Sequence, residues 1–315
     1  MNFKGLDLNL LVILDALLEE QSVTKAAERV HVSQPAASAA LAKLRQHTGD
    51  ELLQKVGREF TLTPRARTMI KPVKEILLNI ESTIYTGSEF DPAQSDRTFN
   101  IAMSTYSAEV LLPELVEKMS AQYPTLSCVV EDIQAESLAR VKSGSIDCCI
   151  TFQQARLLNP SETIEELSYH LAFSDEWMLI AAKDNSHVTE NLTYDEFCAL
   201  PYIETRLGRT LSSFVERTLD HQNHRPRPNL AVPSFELAIT SVMNSGCVAV
   251  VPALLIDDRL RPFLKMFRPP FEMPSIEEFL VWHSRNDADP GHTWFRRLIL
   301  EEAQELQSSV RPHFN

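Results

Sequence analysis

At 315 residues, with 44% hydrophobic and 23% charged side chains, the chain is too long for one small domain and too apolar to be disordered. The net charge of −13 excludes a protein that binds nucleic acid over its whole surface, but the charge is uneven. Residues 1–75 hold 11 basic and 9 acidic side chains and the rest hold 19 and 34, so any DNA contact belongs to the N-terminal part. No run of roughly 18 apolar residues occurs. The opening Met1-Asn2-Phe3-Lys4-Gly5-Leu6-Asp7-Leu8 lacks a signal peptide, and a cytoplasmic protein with no membrane partner is expected.

Leu10, Ile13, Leu14, Leu17 and Leu18 fall on one face of a helix. Gln21-Ser22 breaks it, and Val23, Ala26, Ala27 and Val30 form a second, short helix. His31-Val32 turns, and Ser33 caps a third helix with Pro35 in its first turn, where a missing N–H costs nothing. Short helix, tight turn and capped helix are the helix-turn-helix arrangement, whose steep crossing needs alanines at the contact. Such a unit reads DNA or serves as an interaction module. The third helix carries Lys43, Arg45 and His47 and no acid, which favours phosphates. Gln34 and Ser38 at its exposed start can reach base edges. Glu51 to Val56 and Glu59 to Leu62 read as a hairpin wing with Arg58 at its tip. Candidate DNA-contacting residues are therefore Thr24, Ser33, Gln34, Pro35, Ser38, Lys43, Arg45 and Arg58.

Thr63-Pro64 opens a linker helix in which Met69, Val73, Ile76, Ile80 and Thr83 or Ile84 alternate steps of four and three. That seam joins two subunits as a coiled coil or packs on its own domain; the two-fold symmetry of operators favours the first. The predicted segments are a winged helix-turn-helix over 1–63, a dimerisation helix over 64–86 and a hinge over 87–97.

Residues 1–85 resemble the DNA-binding part of LysR-type transcriptional regulators. The match runs through Ala26-Ala27-Glu28-Arg29, Val32-Ser33-Gln34-Pro35-Ala36-Ala37-Ser38, Leu41, Leu44, Glu51-Leu52-Leu53, Arg58, Leu62-Thr63 and Ala66. The opening Phe3 to Leu11 further resembles the nodulation-protein-D-like branch and its relatives in aromatic catabolism. The resemblance implies that Gln34, Pro35, Ser38 and Arg58 lie at promoter DNA. It also implies a cytoplasmic homodimer or homotetramer, an activator that meets RNA polymerase, and an aromatic inducer in place of a cofactor.

Beyond Gly87 to Asp96 the pattern becomes strands alternating with helices, which predicts a mainly parallel α/β fold. The theme runs twice, and a last strand and helix return to the first half. The expected effector-binding domain is 98–315, with one lobe over 98–166 and 268–315 and the other over 167–267. Two lobes with a returning chain fit a periplasmic-binding-protein-like sensor, as the resemblance also implies. Ligands of such sheets sit beyond the carboxyl ends of strands. Ser104, Thr105, Tyr106, Thr151, Phe152, Tyr202, Arg206 and Phe235 are the candidate ligand-binding residues, with an anionic oxygen favoured at the helix start near Ser107. The same hydroxyls can simply cap helices.

Five cysteines without CxxC spacing read as buried free thiols, and His170, His187, His221, His224 and His292 as surface residues that hold no metal. No GxGxxG, GxSxG or GxxxxGK occurs, so an α/β enzyme has no motif behind it. A transport-type small-molecule binding protein is the alternative that the C-terminal half alone permits.

Overall fold

The computed structural model describes residues 7–56, 59–84, 90–152, 166–206, 214–222 and 224–309. The chain forms two compact units that part near residue 89.

In the first unit, α1 (Asn9–Glu20) buries Leu10, Leu14, Leu17 and Leu18 and ends at Gln21, whose φ of 50° is left-handed. The Ser22 side chain accepts from Lys25 N–H to cap α2 (Val23–Arg29). Ser33 accepts from Ala36 N–H to cap α3 (Gln34–Thr48), which closes at Gly49 with a φ of 64°, a backbone that favours glycine. Ala26, Ala27, Ala37 and Ala40 are all buried, as the tight crossing requires. Strands β1 (Leu53–Val56) and β2 (Glu59–Leu62) pair antiparallel, Leu53 opposite Leu62. Asp50 accepts from Leu52 N–H at 2.8 Å and from the Thr63 hydroxyl at 2.6 Å, and Thr63 accepts from Ala66 N–H at 3.0 Å. This chain of bonds fixes the wing to the start of α4 (Pro64–Ile84).

The apolar seam of α4 divides. Met69, Val73 and Leu77 pack into the core of their own unit, with Val73 only 4% exposed, whereas Ile76 is 45% exposed and Ile80 half-buried. Val73 is thus a domain-core residue, not a subunit contact, because α1 lies beside this part of α4 and claims its apolar face.

The second unit holds two five-stranded sheets. Strands β3 (Thr98–Met103), β4 (Ser127–Asp132), β5 (Cys148–Phe152) and β6 (Leu167–Asp175) build the first, with α5 (Thr105–Gln122) and α6 (Ser137–Ser143) as crossovers. The second contains β7 (Trp177–Ala182), β8 (Tyr202–Thr205), β9 (Pro228–Val232), β10 (Val248–Pro252) and β11 (Leu264–Phe267). Its helices are α7 (Tyr194–Ala199), α8 (Phe214–Asp220) and α9 (Phe235–Met243). Strand β12 (Ile276–His283) then inserts into the first sheet and α10 (Pro290–Ser309) covers it. The orders are β4-β3-β5-β12-β6 and β11-β7-β10-β8-β9.

Three expectations change. The sheets are mixed: β12 runs antiparallel to β5 and β6, and β7 runs antiparallel to β10 and β11. The first lobe extends to Asp175 instead of ending at 166, since β6 pairs with β12 along its whole length. His292 is fully buried, not superficial: it accepts from Arg296 at 2.9 Å, so its other ring nitrogen donates to the Asp147 carbonyl at 3.0 Å. That bond, with Phe295 stacked on Phe99 at 4.2 Å, seats α10 on the first sheet. The segments 85–86 and 87–89, which hold parts of the expected linker and hinge, lie outside the described residues.

Cys148 and Cys149 are buried and the other three cysteines half-buried, all as free thiols. Burial pushes the Cys128 thiol up to about 11 and Cys149 to about 12, so neither forms a thiolate readily.

Candidate functional sites

The first site is the exposed face of α3. Its cap leaves Ser33, Gln34, Pro35 and Ala36 in solvent while Ala37 turns into the helix crossing. Gln34 donates to the Ser38 hydroxyl at 3.2 Å, so the two candidate base-reading side chains stand together one turn apart. Lys43 is exposed further along the same helix and Thr24 in the first turn of α2. Arg45 behaves differently from its expectation as a DNA contact. Its guanidinium donates to the Glu51 carbonyl at 2.8 Å and the Leu53 carbonyl at 3.1 Å, tying the end of α3 to the wing strand. Arg58 lies outside the described residues.

The second site is the junction of the two lobes. Ser104 caps α5 by accepting from Ser107 N–H at 3.0 Å, with the two hydroxyls 2.9 Å apart, and Thr105 is exposed. Tyr106 is buried and donates from its hydroxyl to Asp175 at 2.7 Å. Asp175 is the last residue of β6, where the chain leaves the first sheet, and it also accepts from Leu254 N–H of the second lobe at 3.0 Å. Burial raises the Asp175 carboxyl to about 6 against the lowering effect of these donors. A row of rings crosses the junction: Trp177 to Phe235 at 5.8 Å, Phe235 to Tyr106 at 6.4 Å and Tyr106 to Phe173 at 6.0 Å.

The remaining candidates do not all converge there. Phe152 shares a sheet face with Glu278 and Phe173, toward α5, but Thr151 is paired with Phe279 and points to the opposite face. Tyr202 is 1% exposed and packs on Phe197 at the amino end of β8, inside the second-lobe core. The rule of carboxyl ends selects Thr205 and Arg206 on this strand, not its first residue. Arg206 is exposed but donates to buried Glu204 at 2.6 Å, and Arg225 engages the same carboxylate.

The sequence reading missed Asp175 and Glu278, which are buried with Ser107 around the α5 start. Glu278 takes a hydrogen bond from Ser107 on one side, and its Oε2 is screened from solvent with no partner among the described residues. Burial raises this carboxyl to about 8. A clue existed in the run Glu278-Phe279-Leu280-Val281-Trp282, which sets an acid against the apolar residues of a core strand. Two surface hollows of about 420 and 470 Å³ lie at the far edge of the second sheet, around Ala182, Asp184 and Asn244. Neither is lined by a buried, unpartnered polar group, so they do not compete with the junction. Among the described residues no group of three His, Cys, Asp or Glu side chains is placed to hold a metal. No helix there is long and apolar enough to cross a membrane.

A capped recognition helix on one unit and two α/β lobes on the other define a DNA-binding regulator with a sensor domain. Residues 8–67 match the bacterial regulatory helix-turn-helix protein of the LysR family, and residues 92–304 match the LysR substrate binding domain. The chain belongs to the LysR family of transcriptional regulators. It is similar along its length to Nodulation protein D 1 of Mesorhizobium japonicum, with 33% identity over 98% of this chain and 96% of that one. Nodulation protein D of Bradyrhizobium sp. (strain ANU 289) is 32% identical over 99% of this chain and 90% of its own. The fold is shared with a full-length OxyR variant from Pseudomonas aeruginosa, at a TM-score of 0.67, 16% identity and coverage of 95% and 97%. It is shared also with a probable transcriptional regulator from the same organism, at 0.62, 24%, 93% and 96%. The matched family is one of regulatory proteins, not of enzymes or transport-binding proteins.

Proposed function

We propose that the chain is a cytoplasmic, sequence-specific activator that reads promoter DNA through Gln34 and Ser38 and responds to a small aromatic molecule held between its lobes. The observation that carries the DNA reading is the exposed, acid-free start of α3, with Gln34 and Ser38 hydrogen-bonded side by side on an otherwise acidic chain. Thr24, Ser33, Pro35 and Lys43 would contribute backbone contacts, Arg58 a wing contact, and Arg45 the stiffness of the wing. The aromatic reading rests on the ring row from Trp177 to Phe173 beside the Ser104–Ser107 hydroxyls. The names of the relatives agree with the nodulation branch and specify no ligand.

The division proposed is DNA-binding over 1–63, linker over 64–86, hinge over 87–97 and effector-binding over 98–315. Its first lobe takes 98–175 and 268–315 and its second 176–267, as β6 requires. A homodimer through the exposed part of α4, assembled further into a homotetramer, would present two recognition helices to an operator and a surface to RNA polymerase.

Gln34→Ala tests the DNA reading. The expected loss is about 1–3 kcal/mol on the operator and much less on random DNA, measured by fluorescence anisotropy at fixed salt. Equal losses on both sequences would rule out base reading by this side chain.

A further inference from the structure

The proposed ligand site contains a buried acid with one oxygen that has no partner among the described residues. Glu278 stands third in β12, which runs antiparallel to β5, so it lies at the edge formed by the carboxyl ends of β3 and β5. Its cross-strand neighbours Phe152 and Phe173 share its face, and α5 brings the Ser107 hydroxyl to one of its oxygens. The other oxygen, Oε2, has neither water access nor a partner among the described residues. A buried oxygen without a partner is costly, so a group that completes its hydrogen bonding gains that energy on binding.

The charges around it narrow the choice. Asp175 is already filled by the Tyr106 hydroxyl and the backbone N–H groups of Glu176 and Leu254. Glu109 in the first turns of α5 is half-buried, and repulsion from Glu236 of α9 adds to burial in raising its carboxyl. Arg206 is committed to Glu204. An aromatic hydroxyl both donates and accepts, so it satisfies Oε2 whether Glu278 is ionised or protonated. A carboxylate satisfies only the protonated form, and it must then sit among acids.

We propose that Glu278 is a specificity-determining residue of the interlobe site, one that selects a ligand bearing a neutral aromatic hydroxyl over one bearing a carboxylate. This rests on the junction being the ligand site. It also replaces the anionic oxygen expected at the start of α5.

The test uses full-length protein with two probes of one shape, 4-methylphenol and 4-methylbenzoate, followed by thermal shift and calorimetric titration. Wild type should bind the phenol at least about tenfold more tightly than the carboxylate. In Glu278→Gln, whose amide presents both a donor and an acceptor, that preference should shrink at least about tenfold because the amide N–H welcomes a carboxylate. Glu278→Leu should lose the phenol, and each variant's cooperative melting without ligand reports that it is folded. An unchanged preference in Glu278→Gln, or a wild type that favours the carboxylate, overturns the role of Glu278. Phe235→Leu separates the two ideas. If it weakens both probes while Glu278→Gln changes nothing, the site stands and the selectivity falls. If Phe235→Leu and Glu278→Gln both leave binding unaltered, or if neither probe binds at millimolar concentration, the site reading falls with it.

Discussion

Glu278 also makes a statement about stability. Its carboxyl titrates at about 8 in the folded chain, against about 4.3 for a free glutamate. The folded state therefore holds a proton that the unfolded chain has released, and the stabilisation is present in full below the unfolded value and lost as pH rises through 8. Asp175, raised to about 6, has the same sign but has spent its effect by pH 7. Between pH 7 and 9 Glu278 should account for about 1–2 kcal/mol of loss, and the raised thiols of Cys128 and Cys149 add loss of the same sign as the unfolded chain's thiols ionise. The expected outcome is a wild-type melting temperature that falls more steeply across this interval than that of Glu278→Gln. Parallel curves would show that the carboxyl is ionised throughout. At this scale the sequence was partly legible. Ser33, Gln34 and Ser38 stood out because caps and exposed helix starts are local properties. Tyr202 and Thr151 were misplaced because strand position alone does not say which end or which face of a sheet a residue occupies. Arg45 was read as a phosphate ligand because its carbonyl partners, Glu51 and Leu53, lie across a turn that composition does not reveal.

At the scale of elements, α4 is the instructive case. Its seam has one period but two destinations: Met69, Val73 and Leu77 close the core of the DNA-binding unit, and Ile76 remains in water. Periodicity gives the existence of a buried stripe and not the identity of what buries it. Val73→Asp should therefore place a charge in the domain core and cost several kcal/mol, seen as a lowered melting temperature of the DNA-binding unit. Ile76→Asp should leave that melting unchanged and shift sedimentation toward the monomer. A Val73→Asp protein that melts normally yet loses its mass would return the whole seam to the subunit contact. Pro72 and Pro113 lie within α4 and α5, at positions where sequence rules place a break. Strands β6 and β11 went unread for opposite reasons. Five of the nine β6 residues escape full burial, as suits a strand at a sheet edge, and the four residues of β11 are too few for an alternation to register. The capping box of α7, where Thr193 and Glu196 exchange hydrogen bonds, shows how short a helix local chemistry can fix.

Across the whole molecule, the division of charge has a functional consequence. The acidic excess lies outside residues 1–75, and that segment is only slightly basic, so the electrostatic part of DNA binding depends on a few cations. The return of the chain through β12 and α10 was legible as a closing strand and helix. Its antiparallel insertion was not, since β12 enters between β5 and β6 and nothing in its own residues carries its direction. Lys43 is exposed on α3 and in the proposed reading meets phosphates, whereas Gln34 is neutral and in that reading meets bases. Each phosphate contact adds about 0.9 to the magnitude of the slope of log affinity against log salt for duplex DNA. Lys43→Gln should accordingly weaken operator and random DNA alike and reduce that magnitude by about 0.9 per subunit. Gln34→Ala should change the ratio between the two sequences and leave the slope alone. Anisotropy titrations over a series of salt concentrations, with both DNAs and both variants, measure the two effects together. A Lys43→Gln slope equal to that of wild type would mean that α3 meets the backbone through its capped N-terminus alone, with Ser33 and the Gln34 N–H as the anchors.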